Sequence, residues 1–227
     1  MNNIFKSATA IIAIIVSLGS TASSGVSLDA ANTDINDKAS LQNGAKLFMN
    51  YCSGCHSIQF LRYNKFTEDL AIPKNYVVEN LMFNGEKTGE TITSSMPPDG
   101  ATRWFGGVPP DLSLVARYKG TDWIYSYLRS FYPDSSRPFG VNNRVFKNVS
   151  MPDILWHLKL SSTEKEFNDS VRDIVNFLDY VGEPSKLISP TIGFKVLGFL
   201  LVLLILTFLL KKEYWKDVKY GKWRVKS

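Results

Sequence analysis

The chain has 227 residues, 44% of them apolar and 21% charged, with a formal net charge of +5. That length holds one medium domain with additions, and the composition is that of a globular protein rather than a low-complexity or repeat chain. The charge is no argument for nucleic-acid binding: seven Lys or Arg against two acids in residues 211–227 account for the whole excess. Residues 25–190 carry seventeen basic and nineteen acidic side chains, so the bulk of the chain is mildly negative. The first element, residues 1–24, reads as a secretory signal: Lys6, an apolar run from Ala8 to Leu18, then small residues from Gly19 to Ser24. The run is shorter than the ~20 apolar residues a membrane span needs.

Gly25 to Lys38 is polar and is expected to be a loosely ordered lead-in. A helix follows over residues 39–55, with Leu41, Ala45, Phe48 and Cys52 on one stripe and Asp37 or Ser40 as its cap. It leads into Tyr51-Cys52-Ser53-Gly54-Cys55-His56. A C-x-x-C-H run is the attachment signature of a c-type haem. Two thiols three apart face the same way and can bond the two vinyl carbons of one porphyrin. The adjacent His56 then lies under the iron as an imidazole ligand. Cys52 and Cys55 are the only cysteines in the chain. A redox dithiol or half of a zinc site are the alternatives. Zinc would need two more ligands, and His157 is the only other histidine.

Further along, a short helix is expected over residues 74–83, after Pro73 and before Asn84-Gly85. Residues 85–110, rich in Gly, Pro, Thr and Ser, read as loop. Asp111 is positioned to cap a helix through Tyr118, and Thr121 to cap another over 122–131. Residues 132–152 read as irregular, and strand patterns are weak throughout. Ser161-x-x-Glu164 reads as a capping box opening a helix to Val181, with Phe167, Val171, Ile174, Val175 and Leu178 as its buried stripe. After a linker from Pro184 to Pro190, residues 191–210 are apolar and long enough for about 30 Å of helix, a transmembrane span. Lys195 sits near its start and can snorkel. The basic tail, 211–227, stays cytoplasmic by the positive-inside rule, which puts residues 25–190 outside. The fold class is therefore mainly α: an exported haem domain with long loops, plus one C-terminal membrane helix in contact with lipid.

Attachment leaves one axial position on the iron, where a methionine sulfur raises the potential and a second histidine lowers it. Met49, Met82, Met96, Met151 and His157 are all the candidates. Met49 lies on the proximal helix, three residues before Cys52. Met82 belongs to an apolar pattern, and His157 is the weaker remaining choice. Met96 and Met151 both precede proline, which holds the residue before it extended and suits a side chain projecting from a loop. Spacing does not choose between them.

The chain resembles cytochrome c1, the membrane-anchored haem subunit of ubiquinol–cytochrome c oxidoreductase (the cytochrome bc1 complex). The likeness rests on Cys52 to His56, Arg62-Tyr63, Trp104-Phe105-Gly106 and Val108-Pro109-Pro110-Asp111-Leu112-Ser113. It continues through Ala116-Arg117, Asp122-Trp123, residues 137–143, Val149-Ser150-Met151-Pro152 and the single C-terminal anchor. The resemblance implies one covalent haem c with His56 and Met151 as iron ligands. It implies that Arg117 meets the haem propionates, with Trp123 as a further donor where the family often has tyrosine, and that Pro109 and Pro110 lie against the ring. Asn142 and Asn143 are read as turn residues. It also implies an electron accepted from the Rieske iron–sulfur protein and passed to a soluble or membrane-bound c-type cytochrome. A cytochrome b subunit would be the neighbour, within a dimeric complex of the bacterial cell membrane. No residue is then needed as acid, base or nucleophile. The acidic runs of mitochondrial members are missing here, so docking leans less on long-range charge. A stand-alone tethered carrier and a haem sensor or peroxidase are the rival readings.

Overall fold

The structure, a computed structural model, describes residues 26–219 and 221. The signal segment proposed for residues 1–24 lies outside these described residues. The first helix, α1, spans Lys38–Tyr51, and the Asp37 carboxylate accepts from the Ser40 amide at 3.1 Å as its cap. The long helix α8, Glu164–Gly182, packs across it. The stripes expected on both helices are buried, including Leu41, Ala45 and Phe48 on one and Val171, Ile174 and Val175 on the other. The Phe48 and Phe177 rings meet at 5.6 Å between centroids, and Phe66 and Tyr180 extend the cluster.

The closeness of this crossing depends on Gly44. A Cβ built there would stand 2.0 Å from the Asp173 carbonyl oxygen, so only hydrogen fits. Beside that contact the Asp173 carboxylate accepts from Ser40 Oγ at 2.7 Å and Asn43 Nδ2 at 2.8 Å. The crossing is thus apolar along its seam and pinned by polar groups at one edge.

The remaining elements wrap this pair. Strand β1, Ile58–Arg62, pairs antiparallel with β2, Thr91–Ile92, and encloses the short helices α2, Asn64–Glu68, and α3, Lys74–Asn80. Helix α4 is Pro98–Phe105, α5 is Val115–Tyr118 and α6 is Thr121–Arg129. A small hairpin joins β3, Phe131–Pro133, to β4, Val141–Asn143. Helix α7, Trp156–Ser161, precedes α8. A 3-10 turn, Pro184–Leu187, leads into α9, Ser189–Lys219. The stretch Ser189–Lys216 is long and apolar enough to cross a membrane, and none of its apolar window is buried against the protein.

Several expectations are corrected. The lead-in is not loose: Ala31 is buried, the Asp29 and Ala31 amides donate to Ser126 Oγ and Asp122 Oδ1, and Arg129 pairs with Asp29 at 2.9 Å. Residues 85–110 are not all loop, because Pro98 opens α4 at a position where a missing N–H costs nothing. Gly106, at φ 76°, closes it in the left-handed conformation. Asp111 does not cap α5, which starts four residues later, and Gly120 rather than Thr121 is the cap residue of α6. The capping box before α8 is Thr163 with Glu166, two residues later than expected. Ser161 belongs instead to the last turn of α7.

Candidate functional site

Helix α1 hands its hydrogen bonding on to the Cys-Ser-Gly-Cys-His run. The Cys52 amide donates to the Phe48 carbonyl at 2.8 Å, and the Cys55 and His56 amides donate to the Cys52 carbonyl at 3.1 and 2.8 Å. These tight turns bring Cys52, Cys55 and His56 onto one wall of a cavity of about 470 Å³. That volume is usual for a bound organic cofactor, and the lining is mostly apolar. Ile174 and Leu178 of α8 close the cavity below, and Trp123, Ile124, Tyr127 and Leu128 of α6 form a second wall. Phe105 to Pro110 make the rim, and Met151 and Pro152 line the same space.

His56 is set up as a metal ligand. Its Nδ1 lies 2.8 Å from the Pro110 carbonyl oxygen, and because a carbonyl only accepts, that nitrogen carries the proton. The lone pair of Nε2 is left free. Burial lowers the histidine's pKa against the opposing pull of the Pro110 carbonyl and Asp111, which favours the neutral ring that metals bind. The thiols point away from thiol–disulfide chemistry. Burial, then the neighbouring Cys55 charge, pushes Cys52 up to about 12, and burial raises Cys55 as well. Redox-active cysteines are shifted the other way. Among the described residues no group of three or more His, Cys, Asp or Glu side chains is arranged to hold a metal ion alone. One imidazole with a free Nε2, one thioether and two paired thiols around an apolar cavity are the donor set a covalent porphyrin requires.

Met151 reaches the cavity from the loop after β4, and a polar network holds that loop. The Arg137 guanidinium donates to the Asn148 and Val149 carbonyls at 2.8 and 3.1 Å. Asn142 Oδ1 accepts from the Asn148 amide at 2.9 Å. Asn148 itself has φ 61°, a left-handed turn that asparagine tolerates. Asn143, wholly buried, donates to the Tyr127 carbonyl at 2.7 Å and accepts from Ser130 Oγ and the Val145 and Phe146 amides. The two asparagines expected to shape a turn therefore also bind α6 to the Met151 loop.

Of the candidate iron ligands, Met151 and His56 line the cavity. Met49 is buried within α1, Met82 packs against the core, Met96 is half-buried elsewhere and His157 is exposed beside Trp156. Pro109, Pro110 and Trp123 also line the cavity. Arg117 does not: its guanidinium is half exposed and faces Glu183 at 3.7 Å. The cation on the cavity wall is Lys119, with its Nζ 5.0 Å from the Trp123 ring centroid. Two participants were absent from the sequence reading, Lys119 and Tyr127. Tyr127 stands one helical turn after Trp123, so extending that stripe by four residues finds it. Burial holds its phenol well above the ordinary range, and its hydroxyl donates to Met151 Sδ at 3.5 Å.

The sequence model of the Cytochrome C1 family matches residues 30–218. A cytochrome c1 of Allochromatium vinosum is 48% identical over 221 residues, covering 86% of this chain and 91% of the relative. A protein of Nitrosomonas europaea named ammonia monooxygenase gamma subunit is 41% identical over 210 residues, covering 85% of this chain and 89% of the relative. The mitochondrial cytochrome c1 haem protein of Schizosaccharomyces pombe is 29% identical, covering 82% and 69%.

Proposed function

We propose, from the premise that the chain belongs to the cytochrome c1 family, that it takes one electron from a Rieske iron–sulfur protein and gives it to a c-type cytochrome. As a member of that family it is an electron-transfer protein with a covalently bound haem c, and the one long apolar helix among the described residues fits a single-pass anchor. When bound, the haem supplies a reversible one-electron change at iron. The remaining work falls to side chains of this chain. Cys52 and Cys55 hold the group by thioether bonds, and His56 and Met151 ligate its iron. The Pro110 carbonyl fixes the His56 tautomer, and Trp123 and the proline rim keep water from the site. Lys119 on the cavity wall would add a positive charge to the one expected of Arg117, which sits by Glu183. What supports this reading is one observation: the two thiols, the free His56 nitrogen and the Met151 thioether share a single apolar cavity.

In this reading residues 1–24 are a cleaved signal and 25–190 form a periplasmic domain. Residues 191–210 span the cell membrane, and the basic tail, 211–227, keeps the C-terminus cytoplasmic. Purification of the full chain in mild detergent tests the assignment. Co-purifying b-type haems and a Rieske signal are expected, in a dimeric assembly. A chain that purifies alone with its haem would identify a stand-alone carrier. The Nitrosomonas relative favours a second reading, a redox subunit of a membrane oxygenase, and oxygenase subunits would then replace the b-type haems. The Met151→Leu variant is expected to keep covalent haem, lose the ferric Met–His spectrum and fall steeply in midpoint potential. An unchanged spectrum would move the ligand to Met96 or His157.

A further inference from the structure

The Tyr127 hydroxyl is held on a sulfur. Its ring is stacked on Trp123, 5.0 Å between centroids and 8° between planes, and meets Phe131 edge-on at 5.3 Å. Its carbonyl is held by Asn143, and its hydroxyl donates to Met151 Sδ at 3.5 Å, a length within reach of a sulfur acceptor. The sulfur is fixed from its own side by the Arg137 and Asn142 bonds to the preceding loop. Neither partner is free to drift, so the contact is built into the fold.

We propose that Tyr127 sets the midpoint potential by donating a hydrogen bond to the Met151 thioether, on the lone pair that the metal does not use. This rests on Met151 being the second iron ligand. The hydrogen bond draws electron density from the sulfur and weakens its donation to iron. The ferric form, which needs that donation more, loses more than the ferrous form. The hydroxyl thereby raises the potential and makes the ferrous state easier to reach. It also orients the side chain, because a thioether with three rotatable bonds has little rotamer preference of its own. Tyr127 is a positioning and tuning residue here, acting through Met151.

The Tyr127→Phe variant of the full-length haem-loaded protein tests this, since it keeps the ring stack and removes only the hydroxyl. The experiment measures the midpoint by redox titration and the position of the near-infrared ferric thioether–iron charge-transfer band. At the unsubstituted protein's midpoint, the oxidised-to-reduced ratio is expected to rise about threefold, which is about 28 mV at 59 mV per decade for one electron. The band is expected to shift as the sulfur becomes a better donor. The Tyr125→Phe variant, on the same helix and stacked under Arg129 at 4.7 Å, is expected to leave both readouts unchanged. A band present but unmoved in Tyr127→Phe, with an unshifted midpoint, would overturn the proposal while leaving Met151 as ligand. An equal shift in Tyr125→Phe would overturn it as well. A band missing from the unsubstituted protein would remove Met151 as ligand, and this inference with it.

Discussion

The two sides of the cavity are held by different forces. The His56 side rests on α1 and α8, where Phe48, Ile174, Val175 and Phe177 are fully buried and ring meets ring. The Met151 side rests on a nine-residue helix and a hairpin of three-residue strands, joined by asparagine, arginine and serine hydrogen bonds. Hydrophobic burial is non-directional and sums over a large area, so the first side stands as a core by itself. A polar network has directional, mutually dependent bonds, and losing one member strands the others. A damaged His56 side should therefore cost the whole fold, and a damaged Met151 side should cost the iron ligation proposed for Met151 while the fold survives.

The largest effect expected is at Gly44. Glycine inside a helix costs about 0.5–1 kcal/mol relative to alanine, so Gly44→Ala would stabilise α1 if space allowed. The Asp173 carbonyl, 2.0 Å from the new methyl, forbids it. The helices must part, at a cost of about 3 kcal/mol or more. Chemical denaturation should show a lowered midpoint, and little haem-loaded protein should accumulate. Stability equal to the parent would mean that the crossing is looser than described. Next is Asn143→Ala, which takes one of three donors from the Tyr127 carbonyl and orphans the Val145 and Phe146 amides. The cost is about 2–3 kcal/mol, local to the Met151 side. Covalent haem should remain while ferric thioether ligation is lost in a fraction of molecules. Loss of all tertiary structure would erase the distinction between the two sides.

The same division governs what could be read from the sequence. The α1 and α8 stripes repeat at helical spacing, and the Cys52–His56 run states its chemistry in six residues. Both were legible because one local pattern determines them. Helix α4 was hidden among Gly and Pro, yet Pro98 at its start and Gly106 after its end are the marks of a helix with few buried residues. The hairpin was not legible, since strands of three residues carry no alternation to detect. They exist because Asp134, Asn142 and Asn143 hold them through side chains. That Lys119 and not Arg117 lines the cavity has a similar cause. Which of two cations faces the cavity depends on the rotation of the four-residue helix α5, and no periodicity fixes so short an element.

The smallest effect belongs to the start of α8, where two overlapping S/T-x-x-E frames compete. Thr163 Oγ1 accepts from the Glu166 amide at 3.3 Å, and the Glu166 carboxylate accepts from the Thr163 amide at 2.8 Å. Thr163→Ala should cost about 1 kcal/mol, and Ser161→Ala, in the frame the chain does not use, should cost little. Reversal of that order would restore the earlier frame. The Glu166 carboxyl is held below its usual 4.5 by its bonds to the Thr163 amide and hydroxyl. A carboxylate with a lowered folded pKa binds fewer protons folded than unfolded between its two pKa values. Its contribution is therefore complete above about pH 4.5 and is lost as pH falls through the lower, folded value. Glu166→Gln should accordingly flatten the acid limb of the stability–pH curve below pH 4.5 and leave its shape near neutrality unchanged. Because the cap lies more than two helical turns before Ile174, the first α8 residue to line the cavity, that change should leave the midpoint potential where it was.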